Sequence, residues 1–157
     1  MMSNITHFYS HGEDYTGEDF PYSLKQIREF SDEDLEATHN YIQWIFPTNE
    51  PSEYNPEAPL LTEDDVHEFH NSGMMLELLE SVRQYMGFLK RNLGWRKGFD
   101  HNHLRITRML KCLMLMGLVE EAEAVLSELA IHHRRSGLAI STKSWKFWRA
   151  AVFGEEQ

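Results

Sequence analysis

Apolar positions recur at helical spacing from residue 23 onward, and no stretch alternates as a half-buried strand requires. Ser23 is placed to cap a short helix reaching about Phe30. Ser31 starts another, with Asp32, Glu33 and Asp34 in its first turn, where carboxylates suit the positive end of the helix dipole. Leu35, His39, Ile42 and Phe46 step by four, three and four, so the spacing predicts one helix running to Phe46 and ended by Pro47. His39 on that face is expected to be a core histidine. Pro47, Pro51, Pro56 and Pro59 make residues 47–61 a stiff extended loop, whose tyrosine and leucines are expected to pack over the core.

Thr62 caps the next helix, ahead of Glu63, Asp64 and Asp65, and Asn71-Ser72-Gly73 breaks it. Met75, Leu79, Val82, Met86, Leu89 and Leu93 then form the cleanest amphipathic stripe in the chain. A helix from about Asn102 to Met116 should stop at Gly117. Its partner runs from about Val119 to Arg134, with Val119, Ala122, Leu126, Leu129 and His133 inward, and the two read as an antiparallel hairpin. Glu120 and Glu121 at its start and Arg134 and Arg135 at its end both complement the dipole. Ser141 caps a last helix bearing Trp145, Phe147, Trp148, Ala151 and Val152. The pattern predicts an all-α fold: a single compact domain of six or seven helices, including a C-terminal helical hairpin plus a final helix. Residues 1–22 show no period. The acidic pairs Glu13-Asp14 and Glu18-Asp19 and five aromatics mark them as a partly ordered tail; the domain is placed at 23–153 and a short tail at 154–157.

Composition narrows the class. A chain of 157 residues, 41% apolar and 25% charged, is ordinary for a packed globule and excludes collagenous and disulfide-scaffold chains. Cys112, the single cysteine, has no internal partner, and Met1–His7 has neither a basic nor an apolar leader pattern, so a reducing, cytoplasmic setting is expected. No run approaches about 18 apolar residues, so no membrane span is expected. The net charge of −10 is uneven: residues 1–82 hold 18 acids against Lys25 and Arg28, whereas residues 83–111 hold eight bases against Asp100 alone. An acidic total argues against non-specific nucleic-acid binding, which runs on counterion release.

The nine histidines fall into no zinc-ligand spacing, and no phosphate loop or Gly-x-Ser-x-Gly elbow occurs, so no metal, cofactor or catalytic residue is predicted. Cys112, mid-helix, reads as a buried structural thiol. The basic run is the more informative feature. Trp95 and Arg96 precede a helix whose early turns carry His101, Asn102, Arg105 and Arg108, with 101, 105 and 108 on one face. Amides at a helix start together with such cations favour a carboxylate or phosphate. Alternatively, Arg105 and Arg108 pair with acids of the helix led by Thr62.

Three strings carry a resemblance: His39-Asn40-Tyr41-Ile42-Gln43-Trp44-Ile45-Phe46-Pro47, Asn92-Leu93-Gly94-Trp95-Arg96, and His101 through Lys111, ending in Gly117-Leu118. In order and spacing, over roughly residues 23–153, the chain resembles the opioid growth factor receptor conserved domain family. The resemblance implies an all-α domain; in animals that receptor is linked to the pentapeptide Met-enkephalin, to growth restraint and to nuclear association. It brings no ligand residues with it. Tyr41, Ile42 and Trp44 are explained by packing, whereas Gln43, Trp95, Arg96, Asn102, Arg105 and Arg108 must either close buried networks or make a site. A ligand with a cationic amine would seek Glu63, Asp64, Asp65 or Glu68 near an aromatic pocket. The first expectation is a non-enzymatic module binding a peptide or protein, an acidic one among the candidates. The alternatives are an anion or phosphate binder or enzyme using Arg96, His101, Arg105 and Arg108, and a structural helical domain in a larger complex.

Overall fold

Side-chain caps start the helices where the sequence places them. The computed structural model describes residues 3–10 and 20–154. Three reciprocal capping boxes, Ser23 with Gln26, Ser31 with Asp34 and Thr62 with Asp65, open α2 (Leu24–Arg28), α3 (Asp32–Ala37) and α5 (Glu63–His70). Asp100 caps α7 (His101–Leu115) and Ser141 caps α9 (Thr142–Phe153). With α1 (Asn4–Ser10), α4 (Ile42–Ile45), α6 (Met74–Arg91), a 3-10 turn at Leu93–Trp95 and α8 (Val119–Arg135), the described residues hold nine α-helices and no strand. The fold is all-α, as the periodicity predicts. The chain divides into two compact units, Met1–Phe88 and Leu89–Gln157.

In the first unit, the helix predicted to run through Phe46 breaks into α3 and α4. Thr38 turns extended, at φ −85° and ψ 129°. The Tyr41 hydroxyl donates to the Leu35 carbonyl at 2.6 Å, taking the acceptor that a continuing helix would offer to the residue-39 amide. His39 is consequently exposed rather than in the core. The segment read as a tail contributes α1, whose Ile5, Phe8 and Tyr9 are buried, and Phe20, stacked on Trp44 at 4.9 Å between ring centroids. Phe8 meets Trp44 edge-on, Tyr9 meets Phe69, and a further run links Phe20, Tyr22, Phe30 and Tyr41. The Tyr9 hydroxyl donates to the Ile45 carbonyl. The acidic pairs and Tyr15 of the predicted tail lie outside the described residues. The proline-rich loop is tied at its ends by the Leu61 amide on the Thr48 carbonyl at 2.8 Å. Of its apolar side chains Leu61 is buried, while Tyr54 and Leu60 are exposed against expectation.

The α6 stripe is displaced by one position: Met74, Leu78, Ser81, Tyr85 and Phe88 are buried, joined by Val82, Met86 and Leu89, whereas Leu93 is exposed. Ser81 belongs to that face because its hydroxyl bonds Tyr9 and Arg28. In the second unit α7 packs on α8 and α9. Gly117 takes φ +77°, which ends α7 as predicted. On α8 the inner face is Ala122, Val125, Leu126, Leu129 and His132, so His132 rather than His133 is buried and Val119 is exposed. α9 turns Ser144, Trp148 and Val152 inward and leaves Phe147 exposed.

Candidate functional site

The basic-run residues build a polar network in the second unit rather than an open cationic face. Asp100 accepts from both the backbone and the side-chain amide of Asn102, each at 2.9 Å, and fixes the start of α7. Lys97 and His101 flank its carboxylate at 3.7 Å. Burial alone would raise the Asp100 pKa; the two Asn102 bonds and the nearby His101 and Lys97 outweigh it and hold the carboxyl below its ordinary value. Asn102, in turn, accepts a long contact from the Arg105 guanidinium at 3.5 Å. Arg105 is 7% exposed and Trp95 2%, so of the two readings open for them, a site or a buried network, these two side chains fit the buried network. A buried guanidinium is stable only when bonded, and the α7 register turns position 105 inward with Asn102 and Ile106. Arg108 and Arg96 are half-buried, and His101 is exposed.

His103, which no sequence signal marks as a site, is the centre of this region. Its Nε2–H donates to the Trp95 carbonyl at 2.7 Å, so its Nδ1 accepts the Ser144 hydroxyl, also at 2.7 Å. Ser144 in turn receives the Ser141 hydroxyl, and the Trp148 indole donates to the His103 carbonyl at 3.1 Å. Burial lowers the His103 pKa; the Trp95 carbonyl and Asp100 oppose this without reversing it. Arg96 donates from Nε to His132 Nδ1 at 3.0 Å, and the His132 ring meets Trp95 edge-on. Burial, then Arg96, Arg135 and Lys90, lower the His132 pKa. Both histidines are therefore neutral hydrogen-bonding pieces around Trp95, whose own indole caps the Leu89 carbonyl. Cys112 is fully buried, its thiol pushed up to about 12.

The acidic candidates separate. Asp65 is buried and doubly used: one carboxylate oxygen closes the Thr62 box and the other accepts the Ser3 hydroxyl at 2.5 Å, tying α1 to α5. Glu63, Asp64 and Glu68 are exposed. Gln43 bonds Ser52 at 3.2 Å, holding the proline-rich loop. No cluster of three potential metal ligands occurs among the described residues, and no described helix is long and apolar enough to cross a membrane.

A cleft of about 580 Å³ opens elsewhere, within the first unit, between the end of α1, the length of α2 and the start of α6. Tyr9, Leu24 and Met74 supply its apolar wall; Lys25, Arg28 and Glu77 supply charge of both signs. Arg28 is locked in place, donating to Ser81 at 2.9 Å, to Gln84 at 3.2 Å and to the Glu77 carbonyl at 2.7 Å. Its Nη2 also reaches the half-exposed Glu77 carboxylate at 3.4 Å. None of the ten site residues predicted from sequence lines this cleft. Its lining comes from positions 9–10, 24–28 and 72–77, which share no periodic signal; the one local hint is the pair Lys25 and Arg28, the only lysine and arginine in the acidic residues 1–82.

The opioid growth factor receptor (OGFr) conserved region matches residues 2–139, so the match takes in the segment read as a tail and stops before α9. The human opioid growth factor receptor is 40% identical over 108 residues, covering 54% of this chain and 15% of that protein. The rat opioid growth factor receptor-like protein 1 is 33% identical over 118 residues, covering 64% of this chain and 25% of that protein, and the mouse receptor is 39% identical over 105. The chain thus spans a quarter or less of the length of these relatives. No solved structure matches. With nearly its whole length matched, and with the helix-only fold that the resemblance implies, the chain belongs to the opioid growth factor receptor family.

Proposed function

We propose that this chain is a non-enzymatic peptide-binding module whose site is the cleft between α1, α2 and α6. The observation that carries the reading is the lining. A short peptide with free termini presents an ammonium, a carboxylate and apolar side chains, and the cleft sets Glu77, Lys25 and the Tyr9–Leu24–Met74 wall within one opening of suitable size. The name of the receptor relatives supports the same ligand class. Against catalysis stand the roles of the buried titratable groups: both ring nitrogens of His103 are bonded, His132 Nδ1 is occupied by Arg96, and the Cys112 thiol is sealed. A buried, unpaired cysteine also fits a reducing, cytoplasmic setting.

Titration calorimetry of the full chain with the pentapeptide Met-enkephalin tests this. Binding is expected, with Glu77→Gln weakening it by about tenfold through loss of a charge-assisted bond to the peptide amine. N-acetylation of the peptide should weaken it to a similar extent. Absence of binding, or binding indifferent to both changes, removes the reading.

A further inference from the structure

Among the described residues, the outward face of α9 carries cations and aromatics but no acid. Lys143, Lys146 and Arg149 form one row at steps of three, and Phe147, Ala150 and Phe153 form a second row, each four residues beyond its cation. At about 100° per residue all six fall within an arc of about 160°, opposite the buried Ser144, Trp148 and Val152. Phe147 is 53% and Phe153 58% exposed. Arg149 lies over the Phe153 ring at 5.5 Å, and among the described residues no carboxylate pairs with any of the three cations. Ala150, half-buried, sits between the two exposed phenylalanines in that row.

The charge order also runs against helix physics. α8 has Glu120 and Glu121 in its first turn and Arg134 and Arg135 in its last; α9 has Lys143 at its second position and neither an acid at its start nor a base in its last turn. Local charge placement that does nothing for the helix itself is expected where a surface serves something outside it.

We infer that the outward face of α9 docks an acidic protein segment, whose carboxylates pair with Lys143, Lys146 and Arg149 while its apolar side chains pack on the exposed rings of Phe147 and Phe153. Charge complementarity selects the class, and size selects within it. The face is about 18 Å long, and the chain as a whole carries −10. A long polyanion such as RNA, or an anionic membrane, would be repelled by that total over a wider area than a short segment with three or four carboxylates. The family match ends at residue 139, before α9, whereas the residues of the proposed peptide cleft all fall inside it.

The test uses the full chain and fluorescence anisotropy of a labelled 14-residue peptide carrying glutamates and a leucine stripe at helical spacing. Lys143→Glu/Lys146→Glu should weaken binding by about tenfold or more, and Phe147→Ser, which removes an exposed ring without changing charge, should also weaken it. Arg83→Glu, an equal change of sign per site on the exposed side of α6, should leave binding unchanged. Lys143→Glu improves the match to the α9 dipole, so lost binding would not be lost folding, which circular dichroism checks. Equal weakening by Arg83→Glu, no weakening by the α9 variants, or tighter binding to poly(U) or to phosphatidylserine vesicles than to the peptide would overturn the proposal.

Discussion

The two units solve the same problem by different means. The first unit has short helices: α1 to α5 run from four to eight residues, too short to be stable on their own. It is held by an aromatic chain from Phe69 through Tyr9 and Phe8 to Trp44, and by side chains that bond remote backbone, as Tyr9 does at Ile45 and Gln84 at Ile27. The second unit uses helices of 15, 17 and 12 residues packed on one another, with a compact histidine-centred network at one end. Their charges differ as well: residues 1–88 hold 18 acids and three bases, residues 89–157 seven acids and 12 bases. Long helices follow from local pattern. Short ones need partners far away in sequence, and the first unit spends its aromatic residues on providing them.

The largest effects should come from removing the indole at each centre. Trp44→Ala deletes the stack on Phe20 and the edge contact with Phe8; Trp148→Ala deletes the bond to the His103 carbonyl and contacts with His103 and Trp145. Each is expected to cost about 3–5 kcal/mol. Hydrogen exchange should show the first loss in α1 to α5 and the second in α7 to α9. Equal loss of protection across the whole chain in both variants would break the comparison.

The polar end of the second unit should be next in cost and should respond to pH. His103→Leu leaves the Trp95 carbonyl and the Ser144 hydroxyl without their partner, an expected loss of about 1–3 kcal/mol in denaturant unfolding. His103 and His132 are both harder to protonate folded than unfolded. The unfolded chain therefore binds more protons as pH falls, so stability is complete above the ordinary histidine value of 6.5 and declines as pH drops through the lowered folded values. Asp100, held below 3.8, extends the decline at lower pH. His132→Gln keeps an acceptor for Arg96 and removes one titration. Urea midpoints measured between pH 7 and 5 should then fall less steeply than in the parent chain; an unchanged slope would show that His132 contributes nothing to it.

How much of this was legible beforehand follows the same division. In the second unit the helix ends, the hairpin and the Gly117 stop can be read from the chain, because caps, dipole charges and a left-handed glycine are local signals. What could not be read is which of two adjacent residues faces inward: His132 rather than His133, because Arg96 and Trp95 meet it from outside α8. Arg105 illustrates the same limit, since a charge at helical spacing reads as surface unless its distant surroundings are known. In the first unit the caps at Ser23, Ser31 and Thr62 were visible, but the break at Thr38 was not. It depends on Tyr41 reaching back to Leu35, which competes with a helical pattern that is otherwise continuous. The cleft was invisible for the same reason, as its walls come from three separated segments.

The smallest effect tests whether the division extends to single caps. Thr62→Ala and Ser141→Ala each remove a hydroxyl that accepts an N3 amide, and each should cost about 1 kcal/mol from capping alone. The surroundings differ. The box at Thr62 holds the amide side of Asp65, whose other oxygen takes the Ser3 hydroxyl, so loosening it also loosens the join between α1 and α5. Ser141 caps a helix already anchored by Trp148 and Val152, and its hydroxyl otherwise serves only Ser144. Thr62→Ala is therefore expected to be the costlier of the two, by a few tenths of a kcal/mol up to about 1 kcal/mol, with the excess abolished in a Ser3→Ala background. Equal costs in thermal or urea unfolding would mean that the join between α1 and α5 is maintained by Ile5, Phe8 and Tyr9 alone, and that side-chain bonds between remote segments matter less to the first unit than its aromatic packing.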